Sequence, residues 1–415
     1  MAIDAVLLGA GLRGRFVYAR HARKHPEQLR IVAVADPDDA RRRAVASEHG
    51  LTGDRVARDW RDLLARPRFA DAVIVATGDT EHVGPALAAL DAGYHVLLEK
   101  PIAPEPDDCV RIVERAEAHG LILQVAHVLR YTPFYARVHE IVRSGRLGRV
   151  LSIDMQENVA YWHYAHSYVR GKFRNRRIAA PIVLAKTCHD LDLMIWFAGA
   201  RPRRVSSFGG LGHFRPEHAP AGATARCTDD CAARADCPYD AVAFYLTPDD
   251  RTARFWPYSD VSPDPSVAAR RHALETERYG VCVYHADNDV PDHQVLAVEF
   301  DGGAVATFTM NGVASDEKRT IHIAGTTGEL RGVLHDGWIE VTRHGATARE
   351  RVEIAGSAFD HFSGDAVLIE HFTDVVARGC PDDMRTSGRI ALESHLLGFA
   401  AEQSRLSGRT VELAG

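Results

Sequence analysis

Residues 6–16 read VLLGAGLRGRF, an apolar run that opens into Gly9, Gly11 and Gly14 with the spacing G-x-G-x-x-G. A helical pattern, LRGRFVYARHARKHP, follows and stops near Pro26. Between a strand and a helix, the first two glycines permit a tight turn and let the backbone approach a pyrophosphate. The third lets the helix pack close, with its N-terminal amides facing the negative charge. The next apolar run, LRIVAVADP, ends in Asp36, 22 residues beyond Gly14, where a carboxylate can accept bonds from ribose hydroxyls.

Working outward, residues 1 to about 125 keep alternating short apolar runs with helical stretches, through FADAVIVATG, YHVLLEKP and LILQVAH. That rhythm predicts a mostly parallel sheet covered on both faces. After His127 it changes. GRVLSIDMQENV, RRVSSFGG, HQVLAVEF, GAVATFTMNG, RTIHIAG, TGELRGVLHDG, WIEVTR and ARERVEIAG read as strands of a largely antiparallel sheet, and two helices close the chain. The expected division is 1–126 for dinucleotide binding and 127–415 for substrate and oligomer contacts, with the C-terminal helices packing back toward the first domain. A polar insertion at about 213–292 is long enough to be a site wall, a lid or an interface.

Hydrophobic residues make up 46% of the 415, charged residues 26%, and the net charge is -6. No block of like charge suggests a nucleic-acid partner, and no apolar run is long enough to span a membrane. The chain opens directly on a strand pattern, so the expected location is the cytoplasm. Seven cysteines, an odd number, argue against a complete disulfide framework.

The cofactor surface expected from these patterns comprises Gly9, Gly11, Leu12, Arg13, Gly14, Asp36, Thr77, His82, Glu99 and Lys100. Asp36 favours NAD, because the 2'-phosphate of NADP would meet like charge; the run Arg41–Arg42–Arg43 keeps NADP as the weaker alternative. Lys100 of HVLLEKP falls at a C-terminal strand edge, where an ammonium can polarise a hydroxyl losing its proton, or simply pair with Glu99.

At this point the sequence resembles the Gfo/Idh/MocA family of NAD(P)-dependent oxidoreductases. Gly9–Gly11–Gly14, VIVATGDTEH, HVLLEKP, LRYTPFYARVHEIVRSGRLGRV and TCHDLDLMIWFAG carry the resemblance. It implies an α/β protein: a Rossmann domain followed by a C-terminal α+β domain on a large, mainly antiparallel open sheet. In many members that sheet forms the dimer face, so a homodimer or homotetramer is expected. It also implies a bound nicotinamide cofactor, a sugar, polyol or related hydroxyl substrate, and a catalytic or substrate-orienting role for Lys100. His189 of KTCHDLD matches the family's histidine, yet the position four before it, commonly Asp, is Ala185. His189 is the expected general base and Lys100 its support.

His127, Tyr161, Trp162, His163, His166, Arg170, Lys186 and Asp190 are the expected substrate contacts, drawn from aromatic, cationic and hydroxyl-bearing stretches. Cys227, Cys231 and Cys237 read as C-x3-C-x5-C, which would need His213, His218 or Cys282 to complete a zinc tetrahedron. The spacing is loose, and hydride transfer to NAD requires no metal, so none is expected. The leading reading is a dehydrogenase acting on a secondary hydroxyl. The rivals are a glycosidase that uses tightly bound NAD for transient oxidation and elimination, and a noncatalytic NAD-binding regulator.

Overall fold

The computed structural model describes residues 2–354 and 361–413. Its first sheet is formed by β1 (Ile3–Leu8), β2 (Leu29–Ala35), β3 (Val56–Ala57), β4 (Ala72–Val75), β5 (His95–Leu98) and β6 (Leu123–Val125). All its pairings are parallel, in the order β3-β2-β1-β4-β5-β6. β4 is buried at every residue, which is why AVIV is a continuous apolar run rather than an alternating one. The register aligns the C-terminal ends: Leu8 pairs with Ala35 and Val75, Val75 with Leu98, and Leu98 with Val125. The glycine turn, Asp36, Thr77, Glu99–Lys100 and His127 therefore emerge along one edge, and the strand order reverses between β1 and β4, where a crevice opens.

The glycines have distinct duties. Gly9 has φ +92°, and a Cβ there would lie 2.4 Å from the Ala76 carbonyl oxygen. A Cβ on Gly14 would come within 1.9 Å of the Gly9 oxygen, so the helix can approach the turn only because both side chains are absent. Gly11 faces open space, which is the room a pyrophosphate needs.

The second sheet contains β7 (Val150–Ala160), β8 (Pro202–Gly210), β9 (His293–Phe300), β10 (Val305–Ala314), β11 (Lys318–Gly325), β12 (Gly328–Val333), β13 (Trp338–Arg343), β14 (Glu350–Glu353) and β15 (Val411–Glu412). Their order is β14-β13-β12-β11-β7-β10-β9-β8-β15, antiparallel except where β10 runs parallel to β7. The expected strand ARERVEIAG is realised as β14, and its Ala355 and Gly356 lie outside the described residues. Burial alternates strictly along β9 to β11. Leu296, Phe308, Met310 and Ile321 point into the core, each stabilising the fold by about 1.5–3 kcal/mol. The opposite face presents Phe208, Val295, Val305, Thr307 and Thr309.

The helix Gly388–Ser407 ties the two sheets together. It packs on β8 and on the helix Pro106–Ala118, and His395 accepts a hydrogen bond from the Ile102 amide at 2.9 Å. Among the described residues no helix is long and apolar enough to cross a membrane.

Candidate active site at the sheet edge

Asp36 is buried and closes the glycine turn. The Ala10 amide donates to its Oδ2 at 2.6 Å and the Asp38 amide to its Oδ1 at 2.8 Å. Each oxygen keeps a second lone pair for a ribose hydroxyl. The neighbouring arginines serve their own helix: Arg42 donates to the Asp36 carbonyl and to Asp39, Arg43 pairs with Asp39 at 2.9 Å, and Arg41 faces Asp38. Leu12 is 49% exposed beside the turn.

The side chains of Arg13 and Glu99 are engaged within the protein. Arg13 donates to Glu99 at 2.5 Å and to both oxygens of Asp365 at 2.7 and 2.8 Å, while Tyr18 donates its hydroxyl to the same Glu99 at 2.6 Å. Their polar groups thus lock the C-terminal segment onto the first sheet. Thr77 donates to the Glu81 carbonyl at 3.1 Å, and the fully buried His82 donates its Nδ1–H to the Pro101 carbonyl at 2.7 Å. His82 thereby fixes the turn that carries Lys100 instead of facing a cofactor.

Lys100 Nζ donates to the Ala185 carbonyl at 2.7 Å, so the position that lacks the family's acid still receives the lysine through its backbone. Four residues on, His189 lies buried in the first turn of the helix Cys188–Ala198. The His127 ring meets His189 edge to face at 5.6 Å, and its two nitrogens are buried with no hydrogen-bond partner in the structure. Ligand atoms of His127, Cys188 and His189 all lie within 4.8 Å of one another. Burial lowers the His127 pKa and pushes the Cys188 thiol up to about 12, so both stay uncharged at neutral pH. His395 stands 5.5 Å behind His127; burial, with His127 beside it, holds its pKa near about 3.

Beneath this edge lies a buried charge cluster. Lys186 pairs with Glu157 at 3.0 Å, and Arg319 bonds both Glu157 and, at 2.9 Å, Asp190. Burial raises Asp190 to about 6 although Arg319 opposes it. Asp190, expected to touch substrate, is therefore part of the floor supporting the His189 helix. Glu317 accepts from His163 at 2.5 Å; burial would raise its pKa, but His163 and Lys186 outweigh that and hold it near about 2.

The aromatic wall divides in two. Tyr161, Trp162 and His163 are half-buried, with Tyr161 edge-on to Tyr239 and Trp162 stacked on His163 at 5.7 Å. His166 and Arg170, expected as substrate contacts, are both buried in contacts to the insertion. His166 bonds the Tyr245 hydroxyl at 2.7 Å and stacks on Tyr279; Arg170 donates to the Val281 and Tyr239 carbonyls at 2.8 and 2.7 Å.

Sequence reasoning missed Glu157, Arg319, Glu317 and Asp79. Glu157 carried a signal, since in IDMQENV it shares the inward phase of Ile153 and Met155. Asp79 follows β4 at the crevice edge, with one carboxylate oxygen buried and without a hydrogen-bond partner, and its charge reaches both Cys188 and Tyr168.

The Rossmann-ordered sheet, the glycine turn and Asp36 define an NAD-binding domain. The chain belongs to the Gfo/Idh/MocA family: residues 3–127 match its NAD-binding Rossmann fold and residues 139–413 its C-terminal alpha/beta domain. It is similar to YteT of Bacillus subtilis (strain 168), 28% identical over 279 residues that cover 66% of this chain and 63% of that protein. Inositol 2-dehydrogenase 2 of Saccharopolyspora erythraea is 32% identical over 205 residues, 48% of this chain and 55% of the relative. The chain thus spans less than two thirds of the length of these relatives. An Agrobacterium radiobacter oxidoreductase solved with NAD+, L-tartaric acid and magnesium shares the fold, with a TM-score of 0.69 at 18% identity over 99% of this chain and 98% of that one.

Proposed function

We propose that the protein oxidises a secondary hydroxyl of a sugar, sugar derivative or inositol and passes the hydride to NAD. The observation that carries the reading is the convergence of Lys100 and His189, from different domains, on the edge where the glycine turn and Asp36 also open. The turn fits the cofactor: Gly11 leaves space for the pyrophosphate, the following helix presents its N-terminus, and Asp36 keeps acceptor capacity for the adenosine ribose. NAD, when bound, supplies the hydride acceptor. His189 takes the hydroxyl proton as the carbon–hydrogen bond breaks, and the Lys100 ammonium stabilises the oxygen that becomes a carbonyl. Trp162 and Tyr161 supply apolar faces for a ring, while His163 and Lys186 offer polar contacts to its other hydroxyls. Asp36 favours NAD, and the paired state of Arg41, Arg42 and Arg43 leaves no unopposed cation among them for a 2'-phosphate.

The test is a screen of inositols and hexose derivatives with NAD and with NADP, read by absorbance of the reduced cofactor. The expected result is reduction of NAD by at least one cyclic polyol, with NADP poorer. Cleavage of a glycoside with no net reduction would overturn the reading in favour of transient oxidation, and no turnover with any member would favour a noncatalytic role.

We infer an assembly through the second sheet. Its outward face carries Phe208, 64% exposed, beside Val295 and Val305, and β-branched Thr307 and Thr309. A second copy covering this face makes a homodimer, and a further contact between dimers a homotetramer, in the cytoplasm, where the cysteines stay reduced. Light scattering is expected to give a multiple of the chain mass, reduced in Thr309→Arg; a monomeric wild type would refute the contact.

A further inference from the structure

The insertion contains four of the seven cysteines, and the hydride-transfer chemistry uses none of them. Cys227, Cys231, Cys237 and Cys282 line a single small cavity of about 20 Å³. The Arg170 guanidinium donates to Cys227 Sγ at 3.5 Å. Such a bond orients a sulfur lone pair and holds the thiol in place beside the cavity. Arg226, Arg234 and Asp240 also line the cavity, with Arg234 paired to Asp240 at 3.7 Å. Four thiolates and one dication carry a net charge of about -2, which Arg170, Arg226 and Arg234 offset once Asp240 is counted with them.

We propose that Cys227, Cys231, Cys237 and Cys282 bind one Zn2+ ion that holds the insertion together. The insertion packs into the main core through Phe214, Tyr239 and Val283, while its own hydrophobic cluster comprises seven buried residues, Cys227 among them, and small cores are commonly stapled by metal. No three of the sulfurs stand within 4.8 Å of one another, the spacing that His127, Cys188 and His189 do meet. Zinc binding therefore draws the 227–237 loop and Cys282 inward, releases the thiol protons and orders the insertion in the same step. The His127–Cys188–His189 group belongs to the site already described, beside Lys100. Arg170 carries the consequence to the aromatic wall, since it bonds Cys227 from the stretch that follows Tyr161 and Trp162.

The experiment measures metal in the untagged full-length protein, produced with zinc in the medium, by mass spectrometry. About one zinc per chain is expected, falling to background in Cys231→Ser and Cys282→Ser and unchanged in Cys380→Ser. Should the two variants fail to fold, Co2+ titration of the chelator-treated wild type decides: the proposal expects sulfur-to-cobalt charge transfer and tetrahedral d–d bands saturating at one equivalent. Absence of zinc together with absence of those bands overturns the site, as does a disulfide joining any two of these cysteines in the non-reduced protein.

Discussion

In Lys100→Ala, kcat falls by about 10²–10⁴-fold, the range of a positioned acid–base group, while the Kd for NAD moves by less than about tenfold. The reason is local. Lys100 leaves β5 at the sheet edge, His82 fixes its turn, and its ammonium is held 2.7 Å from the Ala185 carbonyl, on the segment that leads into His189. Removing the cation takes away charge where the substrate oxygen becomes an alkoxide, and leaves the glycine turn and Asp36 intact. His189→Asn is expected to lose turnover on a similar scale. It should also abolish the fall of kcat/KM at low pH that protonation of an imidazole base imposes. Steady-state kinetics across pH, with cofactor titration by fluorescence, checks both. Wild-type turnover in both variants would sink the assignment, and a raised KM with unchanged kcat in Lys100→Ala would make the lysine a binding group only.

The cofactor half of this site was legible because its signals are local. A glycine pattern, an apolar run and a terminal Asp fix a strand–turn–helix within about thirty residues, and parallel register then brings the strand ends into line. The two shortest strands, β3 and β15, escaped because two residues carry no periodicity. The pairing of Arg13 with Glu99 and Asp365 escaped for a different reason. Asp365, which Arg13 bonds, lies 352 residues from it in the helix His361–Arg378, and nothing in the glycine run reports a carboxylate arriving from there. His166 and Arg170 looked like pocket residues because polar groups among aromatics suit a cleft wall, but the insertion supplies the carbonyls and rings that bury them. The loss of the acid at Ala185 was visible; that its carbonyl would instead receive Lys100 was not, since backbone acceptors have no sequence signature.

The charge cluster under His189 yields the largest expected effect on stability. In Arg319→Met the arginine's apolar volume is kept while Glu157 and Asp190 remain buried with Lys186 as their remaining cation, a loss of about 3–5 kcal/mol at pH 8. The deficit should depend on pH in a definite direction. Asp190 already ionises at about 6 in the folded protein, above its unfolded value of roughly 3.9. A carboxyl raised in this way stabilises the fold while protonated, and that contribution is lost as pH rises from about 4 through about 6. Without Arg319, Asp190 holds its proton to still higher pH, so the falling limb extends upward and the gap between wild type and variant widens toward pH 8 and narrows toward pH 5. Urea unfolding of both proteins at the two pH values measures the gap. Equal deficits at pH 5 and pH 8 would mean that the substitution acts through packing alone. Because the His189 helix begins one residue before His189 and Asp190 follows it directly, a confirmed charge effect also predicts that turnover falls with stability, through displacement of the base from the edge that Lys100 shares.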